Sequence, residues 1–305
     1  MNEIMIGTWA WGAGYNGSKM VFGKKYSEAT LEATFRKATE LGFLNWDTAA
    51  VYGMGSCERL LGRLMKGRDD IFLSTKYLPA KKFKKGALAQ SFTESMERLG
   101  REHADLFWIH VPHNLTENLH EAVPLMKDGR IRSLGISNVS LTDIRLAEKL
   151  LAKQGLQLGA VQNHFSLLRN DQQTLIDHCN SNGIRYYAYM VLEQGALSGK
   201  YDAKNGFPAF SMRSFAFPKS KFRKIGGLLD LIRETAAHYE IDPSQVPILW
   251  AMGQGAIPIV GITKPSHAIK LAAAMTIRLT KEELASLTAA AKKTGIRQQG
   301  MWEPQ

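Results

Sequence analysis

Asp47-Thr48-Ala49-Ala50-Val51-Tyr52-Gly53 joins two unlike stretches of chain. Before it, residues 41–46 form an apolar run that reads as a strand. After it, residues 55–65 read as a helix. An acid and a phenol therefore sit on a strand-to-helix loop, where a rigid scaffold aims side chains at a substrate. Taken alone, the Asp fits a turn or helix cap and the Tyr a surface ring. Their setting in the rest of the chain changes that reading.

The same strand-then-helix unit recurs from end to end. Strand-like runs at 4–9, 43–47, 71–76, 105–110, 131–137, 158–162, 184–189 and 257–260 precede helix-like stretches at 26–41, 55–65, 86–99, 115–127, 141–152, 171–182, 224–239 and 265–275. Regular alternation predicts a parallel sheet with crossover helices. Eight pairs in about 280 residues predict closure into a (β/α)₈ TIM barrel, an α/β fold filling 1–305 as one domain, rather than an open doubly wound sheet. Gly12 and Gly14 follow the first run, but no third glycine completes the dinucleotide fingerprint before a helix. Three stretches lie outside the repeat. Residues 201–223 have no clear period and read as a long loop over the site. Residues 242–254 read as an extra helix with Asp242 as N-cap and Pro243 as its first residue, and residues 281–293 as a last helix with a Thr280–Glu283 capping box. The tail around Trp302 is expected to be mobile or to fold over the substrate.

Composition excludes several classes. At 45% hydrophobic and 22% charged the 305 residues are ordinary globular material. No apolar run approaches the roughly 20 residues of a membrane span, and the N-terminus lacks the pattern of a secretory signal. Cys57 and Cys179 are too few for a disulfide framework or a metal cluster. A soluble, cytoplasmic protein is expected. Lys and Arg outnumber Asp and Glu by 39 to 28, for a net charge of +11, which suggests anionic partners. The densest basic cluster, 81–85, is short and has no interleaved aromatics, so it reads as the solvated start of a helix, not a nucleic-acid surface. A phosphorylated small molecule suits the charge.

In a parallel barrel the C-terminal strand ends share one face, and that face carries the active site. Asp47 and Tyr52 follow the second strand, Lys76 ends the third and His110 ends the fourth. Neighbouring strands lie ~4.8 Å apart, so these residues can converge on one point. Asp47 would pair with Lys76. The ammonium would lower the phenol pKa of Tyr52 from about 10 and tune it for proton exchange with a carbonyl or alcohol oxygen. His110 would bond the same oxygen, with His113 left to the loop. Trp9 and Trp11, on the loop after the first strand, suggest an aromatic pocket wall, and Trp108 suggests core packing.

These residues also resemble the catalytic segments of the aldo-keto reductases: Asp47-Thr-Ala-x-x-Tyr-Gly, Ser74-Thr75-Lys76 and Asp105-Leu-Phe-Trp-Ile-His110. The resemblance continues in Gly7-Thr8-Trp9, in Gly55-x-x-Glu58-x-x-Leu61-Gly62, in Gly129-Arg130-Ile131-Arg132-x-x-Gly135-Ile136-Ser137-Asn138 and in Gln194-Gly195-x-Leu197-x-Gly199-Lys200-Tyr201. It implies an NAD(P)H-dependent enzyme acting reversibly on a small carbonyl or alcohol substrate, with Tyr52 as acid/base and Asp47, Lys76 and His110 as its supports. By the same resemblance Thr8, Trp9, Asp47, Ser137, Asn138 and Gln162 border or hold the nicotinamide, and Tyr189 stacks beneath it. Leu192, Gln194, Gly195 and Lys200 would follow the pyrophosphate. Gly261, Thr263, Lys264, His267 and Lys270 would surround the adenosine end, in the region after the seventh and eighth strands where barrels often bind phosphate.

The chain departs from the family in three places. Met190-Val191-Leu192 stands where many members have Ser-Pro-Leu. Lys270-Leu271 stands where a Glu-Asn pair often faces adenine, and His267 where a basic or amide residue is common. NADP(H) is the cofactor these cations favour, with NAD(H) also expected to bind. The resemblance extends to potassium-channel β subunits as well. Those bind the same cofactor as regulatory partners, which leaves a non-catalytic role as the alternative.

Overall fold

The computed structural model describes residues 4–208 and 211–300. Eight parallel strands close into a barrel in sequence order. They are β1 (Met5–Gly7), β2 (Asn45–Asp47), β3 (Phe72–Tyr77), β4 (Leu106–Ile109), β5 (Leu134–Ser137), β6 (Ala160–His164), β7 (Arg185–Tyr189) and β8 (Ile257–Gly261). The helices, in chain order, begin with α1 (Ser18–Phe22), α2 (Glu28–Glu40), α3 (Ser56–Leu64), α4 (Ala87–Leu99), α5 (Leu115–Lys127), α6 (Leu141–Ala152) and α7 (Gln173–Ser181). Then come α8 (Met212–Ala216), α9 (Lys219–Lys224), α10 (Gly226–His238), α11 (Gln245–Gly253), α12 (Pro265–Ala274) and α13 (Lys281–Lys293). The predicted alternation and closure are both present. Among the described residues no helix is long and apolar enough to cross a membrane.

Alternating side chains of the strands point into the barrel and out to the helices. The inner set gathers Met5, Leu106, Trp108, Ala160 and Tyr187 into a small core within the barrel, while a larger core fills the space between strands and helices. Register lines Lys76 up with Trp108, and Trp108 with Gly135. A Cβ on Gly135 would stand 2.3 Å from the Trp108 ring, so the glycine on β5 makes room for that indole. Trp108 packs edge-on against Tyr187, as its core assignment anticipates.

Several boundaries differ from the sequence reading. The run at 41–46 yields only a short β2, because Leu41 still caps α2 and Gly42 turns at φ 83°. The stretch 201–223 is not structureless: α8 and most of α9 lie in it, packed through Phe207, Phe217 and Phe222. The extra helix begins at Gln245, two residues later than expected. Asp242 shapes the turn before it, accepting from Ser244 N at 3.1 Å and Ser244 Oγ at 2.6 Å. Lys81–Lys85 stay in the exposed loop before α4. The Thr280–Glu283 capping box on α13 forms as read. Trp302 and its neighbours lie outside the described residues.

Candidate active site

A cleft of about 650 Å³ opens at the C-terminal ends of the strands. At its floor Asp47 ends β2, between Gly7 of β1 and Ser74 of β3. Its Oδ1 accepts from Ser74 Oγ at 2.7 Å, and Ser74 Oγ in turn accepts from Trp108 Nε1 at 2.6 Å. Its Oδ2 pairs with Lys76 Nζ, which also donates to Thr48 O at 2.8 Å. Both members of that ion pair are buried, so each is the other's main compensation for leaving water.

Tyr52 stands over this pair. Its ring centroid is 5.1 Å from Lys76 Nζ, 5.8 Å from the Trp9 ring and 6.1 Å from the His110 ring. The loop that presents it turns sharply at Gly53, φ 56°, where a Cβ would meet Ser56 Oγ at 2.2 Å. The four residues singled out at the strand ends thus converge. One electrostatic expectation is overturned. Burial, followed by the Asp47 charge, holds the Tyr52 phenol well above its ordinary value instead of below it. Lys76 does not reverse this, because its charge is paired with Asp47 and its own amine is pulled down by burial. Burial and then Lys76 hold His110 well below 6.5, so its imidazole is neutral at pH 7.

The cleft continues along Gln162 and Tyr189, past Leu192, Gln194, Gly195 and Lys200, to Gly261, Thr263, Lys264, His267 and Lys270. Tyr189 is held on two sides. Its hydroxyl donates to Asn138 Oδ1 at 2.6 Å and its ring stacks on His164 at 5.5 Å. Trp9 Nε1, Gln162 Nε2, Gln194 Oε1 and Gln245 Oε1 belong to cleft-lining residues and are buried without a partner among the described residues. Buried polar atoms are ordinarily hydrogen-bonded. Unpaired indole and amide groups in the walls, with Lys200, Lys264 and Lys270 at one end, fit an elongated polar, anionic ligand.

Four of the expected contacts are not on the cleft surface. Thr8 is fully buried, and both its N–H and hydroxyl donate to Asp47 O at 2.9 Å. Trp11 turns inward after a single 3₁₀ turn, donates to Ile262 O at 2.7 Å and packs edge-on against Trp46. It is a core residue, whereas Trp9 lines the cleft. Ser137 and Asn138 lie behind the wall. Asn138 donates to His110 O at 2.8 Å and Ser137 Oγ at 3.1 Å, so its amide fastens β4 to β5 and positions Tyr189.

Other residues enter the site without a signal in the sequence. Arg213, on α8, is nearly buried against Phe207 and lines the cleft; it donates to Phe22 O at 2.8 Å and Gln194 O at 3.3 Å. Glu193 is buried behind Tyr189, where it accepts from His164 Nε2 at 2.7 Å and from Ser166 Oγ. Met190, Glu193 and Gln194 all have positive φ, a conformation that non-glycine residues rarely adopt and that this buried pair helps to hold. Asp242 and Gln245 line the same end of the cleft as Lys264, His267 and Lys270.

A family model described as "Aldo/keto reductase family" matches residues 3–292. An uncharacterized oxidoreductase of Mycobacterium tuberculosis is 28% identical over 299 residues, covering 96% of this chain and 90% of its own length. An NADP(+) aldo-keto reductase of Schizosaccharomyces pombe is 28% identical over 289 residues, covering 88% of this chain and 84% of its own. Among solved structures, an aldo/keto reductase of Klebsiella pneumoniae in complex with NADP and acetate superposes with a TM-score of 0.73. It is 23% identical and covers 99% of this chain and 93% of its own, so the likeness is one of fold.

Proposed function

Because the chain belongs to the aldo/keto reductase family, and is therefore an NAD(P)H-dependent oxidoreductase, we propose that it reduces an aldehyde or ketone to an alcohol, reversibly, with Tyr52 as the proton donor. The observation that carries this reading is Tyr52 on the cleft wall, between neutral His110 and Trp9 and over the Asp47–Lys76 pair.

When bound, the cofactor supplies a hydride to the carbonyl carbon. The remaining work falls to the chain's own residues. Tyr52 is protonated at neutral pH, as any phenol with a pKa of about 10 or above is, and that is the form a general acid needs. As its proton moves to the substrate oxygen, the phenolate left behind is attracted to the Lys76 ammonium, 5.1 Å from the ring centroid, across a buried site where the attraction is stronger than in water. Asp47, fixed by Ser74 and Trp108, keeps Lys76 in place. Neutral His110 orients the same oxygen by a hydrogen bond. Trp9 and Tyr52 form the aromatic wall that excludes water. General acid catalysis of this kind contributes about 10²–10⁴-fold. Gln162 and the platform Tyr189–Asn138–Ser137 are assigned to the nicotinamide end, Leu192 to Lys200 with Arg213 to the pyrophosphate, and the segment from Gly261 to Lys270 to the adenosine 2′-phosphate, with NADPH preferred over NADH.

The test is to titrate the protein with NADPH and then add a panel of aldehydes and ketones, following cofactor absorbance. Consumption of bound NADPH by at least one carbonyl class is expected. Tight NADPH binding with no consumption across the panel would contradict the enzymatic reading.

A further inference from the structure

The adenosine end of the cleft carries a carboxylate that the chemistry above does not use. Asp242, on the turn before α11, faces Lys270 of α12, and both residues line the cleft. Asp242 Oδ2 accepts from Lys270 Nζ at 2.5 Å. Its Oδ1 is fixed by Ser244 N and Ser244 Oγ. The carboxyl stays ionised: burial pushes it up, but the bonds from Lys270 and Ser244 outweigh burial and hold it below its ordinary range. Lys200 and Lys264 line the same end and have no carboxylate partner among the described residues. His267 adds no charge there. Desolvation, then Lys264 and Lys270, pull its imidazole below 6.5, and its Nδ1 accepts from Thr263 N at 3.3 Å.

A cation already held by a carboxylate is a weaker phosphate ligand, because the phosphate must share it or displace its partner. A carboxylate beside an adenosine ribose also repels a 2′-phosphate and accepts a hydrogen bond from a free 2′-hydroxyl, the arrangement by which acidic residues favour NAD in other dinucleotide folds. Resting on the cofactor placement proposed above, we propose that Asp242 is a specificity-determining residue. Through its ion pair with Lys270 it competes with the 2′-phosphate and accepts from the free 2′-hydroxyl, so the protein discriminates between NADPH and NADH less than its cations alone would dictate. Lys200 and Lys264 set the preference, and Asp242 limits it.

The experiment is equilibrium titration of tryptophan fluorescence with NADPH and with NADH. It uses the full chain and its variants Asp242→Asn, Lys270→Ala and the double variant. The asparagine amide keeps the Oδ1 acceptor for Ser244, so the turn is retained. An exposed ion pair is worth up to about fivefold in an equilibrium constant. Asp242→Asn is therefore expected to raise the ratio of NADPH to NADH affinity by roughly that factor, with NADH binding unchanged or weaker. Lys270→Ala is expected to cost NADPH more when combined with Asp242→Asn than in the native chain, since Lys270 without its carboxylate partner is free to meet the phosphate. An unchanged or lower ratio in Asp242→Asn, with both cofactors still bound, would overturn the proposal and leave the reductase reading standing. Failure of the native chain to bind either cofactor would overturn both.

Discussion

The two ends of the cleft are built from opposite materials. At the end proposed for the nicotinamide, Asp47, Lys76, Tyr52 and His110 are buried, and the Asp47–Lys76 pair is tied to Ser74 and Thr48. At the end proposed for the adenosine, Lys200, Lys264 and Lys270 are exposed, and Lys270 keeps half of its side-chain surface in water. The low dielectric of the first end makes every charge there costly to strand and strong in its effects. Water screens the second, so each charge there adds little to the stability of the fold and can be traded. The contrast suits the proposal that bond-making belongs to the end that cannot vary and cofactor choice to the end that can.

Substitutions at the buried end should hurt most. Lys76→Met strands the Asp47 carboxylate and is expected to cost about 3–5 kcal/mol of folding stability, read by denaturant unfolding, and to remove reductase activity. A loss below about 1 kcal/mol would mean that the pair is wetter than its burial suggests. Next comes Glu193→Ala, which removes the acceptor shared by His164 and Ser166 behind Tyr189. The expected cost is about 1–3 kcal/mol. It should be accompanied by weaker binding of both cofactors to the same degree, because the turn it supports serves parts common to both. Unequal losses would detach Glu193 from the nicotinamide and pyrophosphate segments.

Lys264→Ala sits on the other side of the comparison. It is expected to weaken NADPH by about tenfold or more, the worth of a charge-assisted hydrogen bond, while NADH changes little and the folded state not at all. Raising ionic strength should mimic this loss without touching turnover at saturating cofactor. Equal weakening of the two cofactors would move the 2′-phosphate elsewhere. The smallest effect is one of pH. His110 is buried neutral, with a folded-state pKa below its unfolded value near 6.5. Between those two values the unfolded chain holds the extra proton, so the stability from this residue is present above about pH 6.5 and falls by up to about 1.4 kcal/mol per pH unit below it. In His110→Gln that acid-side slope should be reduced. An unaltered slope would show that His110 does not titrate as placed.

Much of the buried end was legible in the sequence. Strand periodicity located the ends of β2, β3 and β4, and the barrel rule then converged Asp47, Tyr52, Lys76 and His110. What could not be read is how burial competes with charge: the phenol's pKa moves up, because burial and then the Asp47 carboxylate disfavour the phenolate. Trp9 and Trp11 were indistinguishable by type, and only the 3₁₀ turn between them sends one to the cleft and the other to the core. The least legible residues lie on irregular chain. Arg213 and Asp242 have no period to betray their direction, and the Glu193–His164 pair joins positions 29 residues apart.

The most direct measurement of the central claim is hydride transfer in a single turnover, with saturating NADPH bound to Tyr52→Phe and a carbonyl that the native protein reduces. The phenyl ring keeps the wall beside Trp9 and lacks only the hydroxyl. Cofactor affinity within about twofold of native, with the rate of cofactor oxidation down about 10²–10⁴-fold, is the expected result. Oxidation within a few fold of the native rate would contradict the account, whatever the rest of the cleft looks like.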